Sequence, residues 1–251
     1  SAIRAGASGS STSTFYDYQI ANSARFDHGD SYMNRTQGDG NRKIYTFSVW
    51  ILRAELHSEE NIMSSYPSGA DAIFFDSSNR LKIDTTGGGN NFTSNGVFID
   101  PSKWYHIHIA YDTTQATSTN RLLAYVNGEA ITWSSSSFPS QDAASGAFNQ
   151  NSANLELGRD DVGNNNYFSG LMAEFHYIDG TNYPYTTFGE TKSGVWIPKD
   201  PGTLTYGTNG FYLKFDDASN LGNSTSPASV NFTVNNMGTD HQEISTPTFG
   251  G

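Results

Sequence analysis

The chain contains no cysteine, so neither a disulfide framework nor a thiolate metal site can form. Charge is sparse as well: charged residues make up 16% of the chain, and 14 basic residues stand against 25 acidic ones. The resulting net charge of −11 argues against a nucleic acid partner, because phosphate binding needs clustered lysine and arginine. Divalent cations and basic protein surfaces fit this balance better.

Long apolar runs are absent too. No stretch approaches the length of a membrane span, so we expect no membrane insertion. The N-terminus lacks the charged-then-apolar pattern of a secretory signal, so we expect synthesis in a host cytoplasm without a signal peptide. No segment of useful length repeats its apolar residues at the helical period of about 3.6.

Short β-like runs separated by turn residues fill the chain instead. Residues 45–54 alternate apolar and polar positions, residues 71–84 fit a hairpin, and Asn127-Gly128 is a favoured two-residue turn between two alternating runs. This spacing predicts an all-β fold, a two-sheet antiparallel jelly-roll sandwich. The residues expected in its core include Phe26, Phe47, Val49, Ile107, Ile109, Leu123, Tyr125, Leu157, Phe175 and Phe211.

The composition divides the chain into three parts. Residues 15–218 are predicted to form the sandwich, including a long wrapping loop at 181–209, and residues 219–251 form a C-terminal tail. Residues 1–14 have only Ile3 and Arg4 beside small and hydroxyl residues, too little to offset an ordering cost of about 1–2 kcal/mol per residue. We therefore predict an assembly arm at 1–14, anchored to another protein or another copy through Ile3 and Arg4.

The stretch KWYHIHIAYD, residues 103–112, places His106 and His108 on one face of a strand. A zinc site would need a third protein ligand. The other four histidines stand in no recognisable ligand motif, so half-buried structural histidines are favoured over a metal pair.

Residues 100–131, with the Trp-x-His element and a following YVNG, resemble the central hairpin of laminin-G-like and pentraxin-like domains of the concanavalin A-like superfamily. Residues 23–35, 45–52 and 154–180 match further pieces of these domains in the same order. The resemblance covers about residues 22–180. It implies the jelly-roll sandwich, and it implies that His106 is a core residue of its strand.

Residues 188–248, with the GVWIPK and YGTNGFYLKF elements, resemble the closing segment of laminin-G-like virion proteins of marine bacteriophages. This implies a non-enzymatic virion structural protein: a capsid decoration, head-fibre or tail appendage subunit. Its expected partners are other virion proteins of capsid or tail and copies of itself, with trimers preferred by analogy with phage appendages. The alternative is a glycan-binding adhesin of the tail or fibre that contacts host-surface polysaccharide, with a glycoside hydrolase as a distant third.

The hydrolases of this superfamily place two or three carboxylates along one strand, and no Glu-x-Asp-x-x-Glu pattern occurs here. Glu55, Glu59 and Glu60 fit a solvated loop. Glu174 and Asp179 are separated by an odd number of positions, which puts them on opposite faces of a regular strand. We therefore expect no enzymatic activity and no required cofactor.

The loop at 158–168 concentrates oxygen-bearing side chains. Asp160, Asp161 and Asn164 offer the hard ligands that suit calcium, the one cation that the sequence suggests. Asn165, Asn166 and Tyr167 are candidates for glycan contact, since an aromatic ring can stack on a sugar. A plain polar turn remains the alternative, because turns need the same residue types.

Overall fold

The computed structural model describes residues 15–66, 71–160, 163, 165–227 and 230–248. The predicted arm at 1–14, with Ile3 and Arg4, lies outside the described residues, as do Asp161 and Asn164. Within the described residues the helices are single turns at Ser118–Asn120, Tyr185–Thr187 and Thr239–His241. None of these turns has the length and apolar character of a membrane-spanning helix.

Sheet A is antiparallel and eight-stranded. Its spatial order is β10 (Glu129–Ala130), β9 (Leu122–Val126), β8 (Tyr105–Asp112), β3 (Ile44–Arg53), β13 (Gly170–Asp179), β1 (Ser23–Phe26) and β18 (Gln242–Glu243). The remaining strand, β16 (Phe211–Leu213), pairs with the second half of β13.

Sheet B is also antiparallel and eight-stranded. Its order is β11 (Trp133–Ser136), β7 (Asn90–Val97), β6 (Arg80–Thr85), β5 (Asp71–Phe75), β4 (Glu60–Tyr66), β12 (Asn154–Leu157), β2 (Tyr32–Thr36) and β17 (Thr233–Asn235). Apolar side chains of both sheets form one core between them. The predicted two-sheet antiparallel sandwich is confirmed.

Alternation along the strands decides which side chains enter this core. In β8, Ile107 and Ile109 face sheet B, while His106 and His108 face the other way, as the sequence predicts. Its neighbour β3 inserts Phe47 and Val49 beside them in the same core.

The turn after β9 is the predicted one, since Asn127 and Gly128 have φ values of 50° and 79°. The predicted core position Leu123 is wrong: its side chain is 38% exposed. In β9 the core side chains are Leu122 and Ala124, one position out of phase with the predicted pair. Every residue from 122 to 126 except Tyr125 is apolar, so the sequence does not mark the phase.

Residues 181–209, called here the wrapping segment, lie across the outer face of sheet A. The sequence predicted a loop without strands, whereas the segment contains a hairpin of β14 (Gly189–Lys192) and β15 (Val195–Pro198). Trp196 of this hairpin sits directly on Gly128 and Gly189, where any Cβ would approach the indole to 2.4 Å. Gly128 therefore lets the hairpin approach sheet A closely, and Gly189 makes room for the indole within the hairpin itself.

The C-terminal residues do not form a separate tail within the described part of the chain. Phe232 is buried in the core, β17 adds an edge strand to sheet B, and β18 adds one to sheet A. Thr248 accepts a hydrogen bond from the backbone of Ile20 at 3.0 Å. The sequence did not predict these edge strands, because the region has few apolar residues. Edge strands are held mainly by backbone hydrogen bonds, which need no apolar pattern.

One ion pair is fully buried between the sheets. The guanidinium of Arg53 donates to the Glu60 carboxylate and to the carbonyl of Phe98, and it lies 4.2 Å from the ring centroid of Phe75. The second oxygen of Glu60 accepts the backbone N–H of Ser169 at 3.1 Å. Both charges are therefore paired and hydrogen-bonded in the interior, as a buried pair requires.

We predict that Arg53→Met lowers the free energy of unfolding by about 3–5 kcal/mol, because it leaves the Glu60 carboxylate uncompensated. Urea unfolding at pH 7 measures this loss. The matched control is Arg25→Met, whose partly exposed pairs with Asp27 and Glu243 should cost less than about 1 kcal/mol. Equal losses in the two variants would contradict the prediction.

Candidate functional site

A layer of histidines covers the middle of the outer face of sheet A. His106 and His108 come from β8 and His176 from β13, and each is at most 2% exposed. The sequence predicted half-buried histidines at 106 and 108. They are fully buried because the wrapping segment lies on them.

His106 is held in one tautomer. Its ring stacks between Trp50 and Trp196, at centroid distances of 4.8 Å and 5.9 Å. The Trp196 indole N–H, which can only donate, reaches Nδ1 of His106 at 3.1 Å. Nδ1 is therefore unprotonated, and Nε2 carries the hydrogen that Ser48 Oγ accepts at 2.8 Å. Both ring nitrogens are used within the protein.

The other two histidines are also held by the wrapping segment. Nε2 of His108 donates to the carbonyl of Tyr183 at 3.0 Å, and burial lowers the pKa of His108 to about 3. Nδ1 of His176 lies 2.8 Å from the Tyr206 hydroxyl, and the ring stacks on Tyr212 at 3.9 Å. Burial lowers the pKa of His176 as well.

Beside this layer, β13 carries a β-bulge. The register with β3 shifts between Ala173 and His176, and Glu174 adopts the left-handed conformation with φ of 48°. For a residue other than glycine this conformation costs on the order of 1–3 kcal/mol, and such strain concentrates at functional sites. The bulge places the side chains of Glu174 and His176 together on the outer face.

The carboxylate of Glu174 is almost fully enclosed by polar neighbours. Oε2 accepts the hydroxyl of Tyr212 at 2.5 Å and that of Tyr18 at 2.9 Å, and Nε2 of His176 lies 3.5 Å away. Burial and the nearby carboxylate raise the pKa of both tyrosines far above the ordinary value. Both hydroxyls therefore keep their protons, which point at Glu174.

A surface cavity of about 270 Å³ opens next to this cluster. It lies between the wrapping segment, the segment before β1, and the strand β16. The polar and aromatic side chains on its walls are Tyr18, Asp200, Thr203, Tyr206, Tyr212, Lys214 and Thr225.

These walls present a defined hydrogen-bonding pattern. Tyr18 and Tyr212 give their protons to Glu174, so toward other partners their oxygens act as acceptors. Asp200 supplies a carboxylate that accepts, and Lys214 an ammonium that donates, 5.3 Å from the Tyr212 ring centroid. Aromatic walls with a few fixed donors and acceptors suit a polyhydroxylated ligand.

The loop at 158–168 is a second candidate from the sequence. The N–H of Asp160 donates to the carbonyl of Asn165 at 3.0 Å, and Nδ2 of Asn166 donates to Glu59 at 3.0 Å. The ring of Tyr167 lies near the Arg159 guanidinium, at 5.9 Å. Among the described residues no three His, Asp or Glu side chains are placed to hold a metal ion. Asp161 and Asn164 lie outside the described residues, so calcium binding at this loop stays a prediction.

The carboxylates considered for hydrolase chemistry are scattered. Glu174 faces the outer side of sheet A, while Asp179 accepts the backbone N–H groups of Asn41 and Asn209, at 2.7 Å and 3.1 Å. Glu60 was expected on a solvated loop and instead belongs to the buried pair with Arg53, because β4 begins there.

Sequence reasoning found Glu174 but gave it no partner, and it missed the cavity. Tyr18, Glu174, Asp200 and Tyr212 are far apart in the chain, and no local motif joins them. A left-handed glutamate leaves no mark in the sequence, since the residues that favour this conformation are glycine, asparagine and aspartate.

A family model described as the concanavalin A-like lectin/glucanases superfamily matches residues 27–182, more than half of the chain. The chain belongs to this superfamily. No curated protein sequence matches the chain.

Several solved structures are similar to the chain in fold. A protein from Bacteroides ovatus, provisionally described as carbohydrate binding, is 16% identical with a TM-score of 0.60, over 92% of this chain and 61% of that one. The chain thus spans about three fifths of that protein's length. Domain 4 of a Geobacillus stearothermophilus arabinanase, in complex with arabinotriose, is 19% identical with a TM-score of 0.48, over 67% and 76%.

A tailspike protein of Escherichia coli O157:H7 bacteriophage CAB120 is also similar, with 12% identity and a TM-score of 0.40, over 68% of this chain and 27% of that one. At these identities the likeness concerns the fold alone.

We predict that the free energy of unfolding falls as the pH falls below about 6.5. The folded chain keeps His108 neutral down to a pKa of about 3, whereas the unfolded chain binds the proton near pH 6.5. Stability from this residue is thus complete above pH 6.5 and is lost by about 1.4 kcal/mol per pH unit below it. Urea titrations between pH 7.5 and pH 4.5 measure the slope. His108→Gln should reduce this slope by the contribution of one proton, about 1.4 kcal/mol per pH unit. An unchanged slope would contradict the prediction.

Proposed function

We propose that this chain is a non-enzymatic, carbohydrate-binding β-sandwich carried on a bacteriophage particle, and that the cavity beside Glu174 holds the glycan. The observation that carries the proposal is the convergence of tyrosines, a carboxylate and an ammonium at a strained bulge. Such a site offers stacking surfaces together with donors and acceptors in fixed directions. The description of the Bacteroides ovatus protein as carbohydrate binding supports it.

The arrangement of carboxylates supports binding without hydrolysis. Glycosidases use two carboxyl groups on either side of the scissile bond, about 5–10 Å apart. Asp200 is the one carboxylate among the described residues that line the cavity. Glu174 lies behind Tyr18 and Tyr212 and is 7% exposed, so its role is to orient these two hydroxyls.

The placement on a phage particle rests on residues 188–248, which resemble the closing segment of phage virion proteins. Their integration into the domain supports it: they supply the hairpin on sheet A, the strand β16, and the edge strands β17 and β18. In this proposal the partners are virion proteins, further copies of the chain, and the surface polysaccharide of the host.

We predict that Asp200→Asn combined with Lys214→Ala weakens glycan binding at least about tenfold, a loss of about 1.4 kcal/mol. The measurement is binding to an array of bacterial surface polysaccharides, followed by calorimetry with the best ligand. The matched control is Asn165→Ala with Tyr167→Ala in the loop at 158–168, which should leave binding unchanged.

The opposite pattern would move the site to the loop at 158–168. Repeating the calorimetry with calcium and with a chelator then tests the calcium prediction, because only a site at Asp160 and Asp161 would depend on the cation. Release of shorter saccharides during the experiment would contradict the non-enzymatic part of the proposal.

We further predict that deleting residues 1–14 prevents incorporation into phage particles and leaves the melting temperature of the isolated protein unchanged. The reason is compositional, because this segment has too little apolar surface to stabilise the sandwich. Mass spectrometry of purified particles measures incorporation. Full incorporation of the truncated protein would contradict the prediction for this arm, and residues 245–251 would become the candidate anchor.

A further inference from the structure

The wrapping segment is attached to sheet A through each of the three buried histidines. The Trp196 indole is hydrogen-bonded to His106, and the carbonyl of Tyr183 accepts from His108. The hydroxyl of Tyr206 is hydrogen-bonded to His176. The other hydrogen bonds between the segment and sheet A lie at two places. The hydroxyl of Thr46 accepts the N–H of Tyr183 and donates to the carbonyl of Thr181, both at 2.8 Å. At the end of β13, the N–H of Asp179 donates to the carbonyl of Tyr206 at 3.0 Å, and its carboxylate accepts the N–H of Asn209 at 3.1 Å.

The bond to His106 exists only while the imidazole is neutral. Nδ1 must present a lone pair, because the partner on Trp196 is an N–H that cannot accept. A proton on Nδ1 would point the N–H of His106 at the indole N–H of Trp196. The imidazole cannot turn away easily, because it is stacked on Trp50 and Trp196. The other titratable groups acting on His106 are His108 and His176, which add repulsion if they too become charged.

His108 has no better place for a second proton. Its Nε2 already donates to Tyr183, and Nδ1 is buried with no partner among the described residues. The side chains around the ring are aromatic, namely Tyr125, Tyr185 and Phe188. An imidazolium here would be buried without a counter-ion, which strongly favours separation of the layers.

His176 differs, since Nε2 lies 3.5 Å from the Glu174 carboxylate, which can pair with its cation. The positive charge of Lys214 opposes protonation. Lys199 also lines the small gap that adjoins Glu174 and His176. The acid response should therefore come mainly from His106 and His108.

The histidines outside this layer lie away from the core between the sheets. None of the described residues of that core is a histidine. His28 is exposed and His57 is half-buried, and their rings stack on each other. His241 already lies 3.1 Å from the carboxylates of Asp27 and Asp240. Histidine protonation thus acts on the outer face of sheet A before it acts on the sandwich.

We propose that the wrapping segment is an acid-released cover, which detaches from sheet A when His106 and His108 are protonated while the two sheets stay folded. Each of these histidines favours the detached state by up to about tenfold per pH unit below 6.5, so the pair gives up to about a hundredfold. Asp200, Thr203 and Tyr206 belong to the cover, so acid would also dismantle the cavity wall. Only this consequence for the glycan rests on the proposed function.

A cysteine probe tests the cover directly, because the natural chain has no cysteine. Ile178 is fully buried beneath the cover, against Phe188 and Leu204, whereas Val49 is equally buried between the sheets. The variants Ile178→Cys and Val49→Cys are reacted with 4,4′-dithiodipyridine at pH 7 and pH 5. Each rate is divided by that of the same variant in urea, which removes the intrinsic effect of pH on the thiol.

We expect the normalised rate at position 178 to rise at least about tenfold from pH 7 to pH 5 relative to that at position 49. Adding His108→Gln to the Ile178→Cys variant should remove up to about tenfold of this rise per pH unit. A constant ratio, or a parallel rise at both positions, would overturn the proposal. If the thiol introduced at position 178 becomes reactive in acid but no glycan binds at pH 7, the cover stands and the proposed function fails.

Discussion

The hydrogen bond from the Trp196 indole to Nδ1 of His106 sets the condition on which the outer face of sheet A depends. A donor that cannot accept forces its partner to be a neutral acceptor, and burial enforces the same state on His108 and His176. Aromatic rings can then pack on both sides of the imidazoles. The histidine layer therefore carries no positive charge at neutral pH. This neutrality lets the wrapping segment lie on the layer and form one wall of the cavity.

The bulge at Glu174 is the second constraint, and it opposes the local preference of its residue. A glutamate in the left-handed conformation is strained, so its surroundings must hold it in place. Two tyrosine hydroxyls donate to its carboxylate, and one of them comes from the strand that pairs with the second half of β13. The same contacts that stabilise the strained residue therefore orient the acceptors of the cavity.

The sequence predicts the parts of this fold that alternation governs. The faces of β3 and β8, the sandwich and the Asn127-Gly128 turn follow from period-two patterns and turn chemistry. The phase of β9 was wrong at Leu123 because both of its faces are apolar in the sequence. The cavity could not be predicted at all, since its residues meet only through tertiary contacts, and the edge strands near the C-terminus are specified by backbone pairing.

The boundary of the superfamily match separates the shared sandwich from the segments that this chain adds to it. The match ends at residue 182, within the first two residues of the wrapping segment. Glu174 and His176 lie inside it, whereas Tyr18, Asp200 and Lys214 lie outside, on segments laid over the shared sandwich. Function resides in sites built onto folds rather than in the folds themselves. The shared part of this chain thus supplies the strained carboxylate that orients the hydroxyls of Tyr18 and Tyr212, and the added part supplies the walls of the cavity.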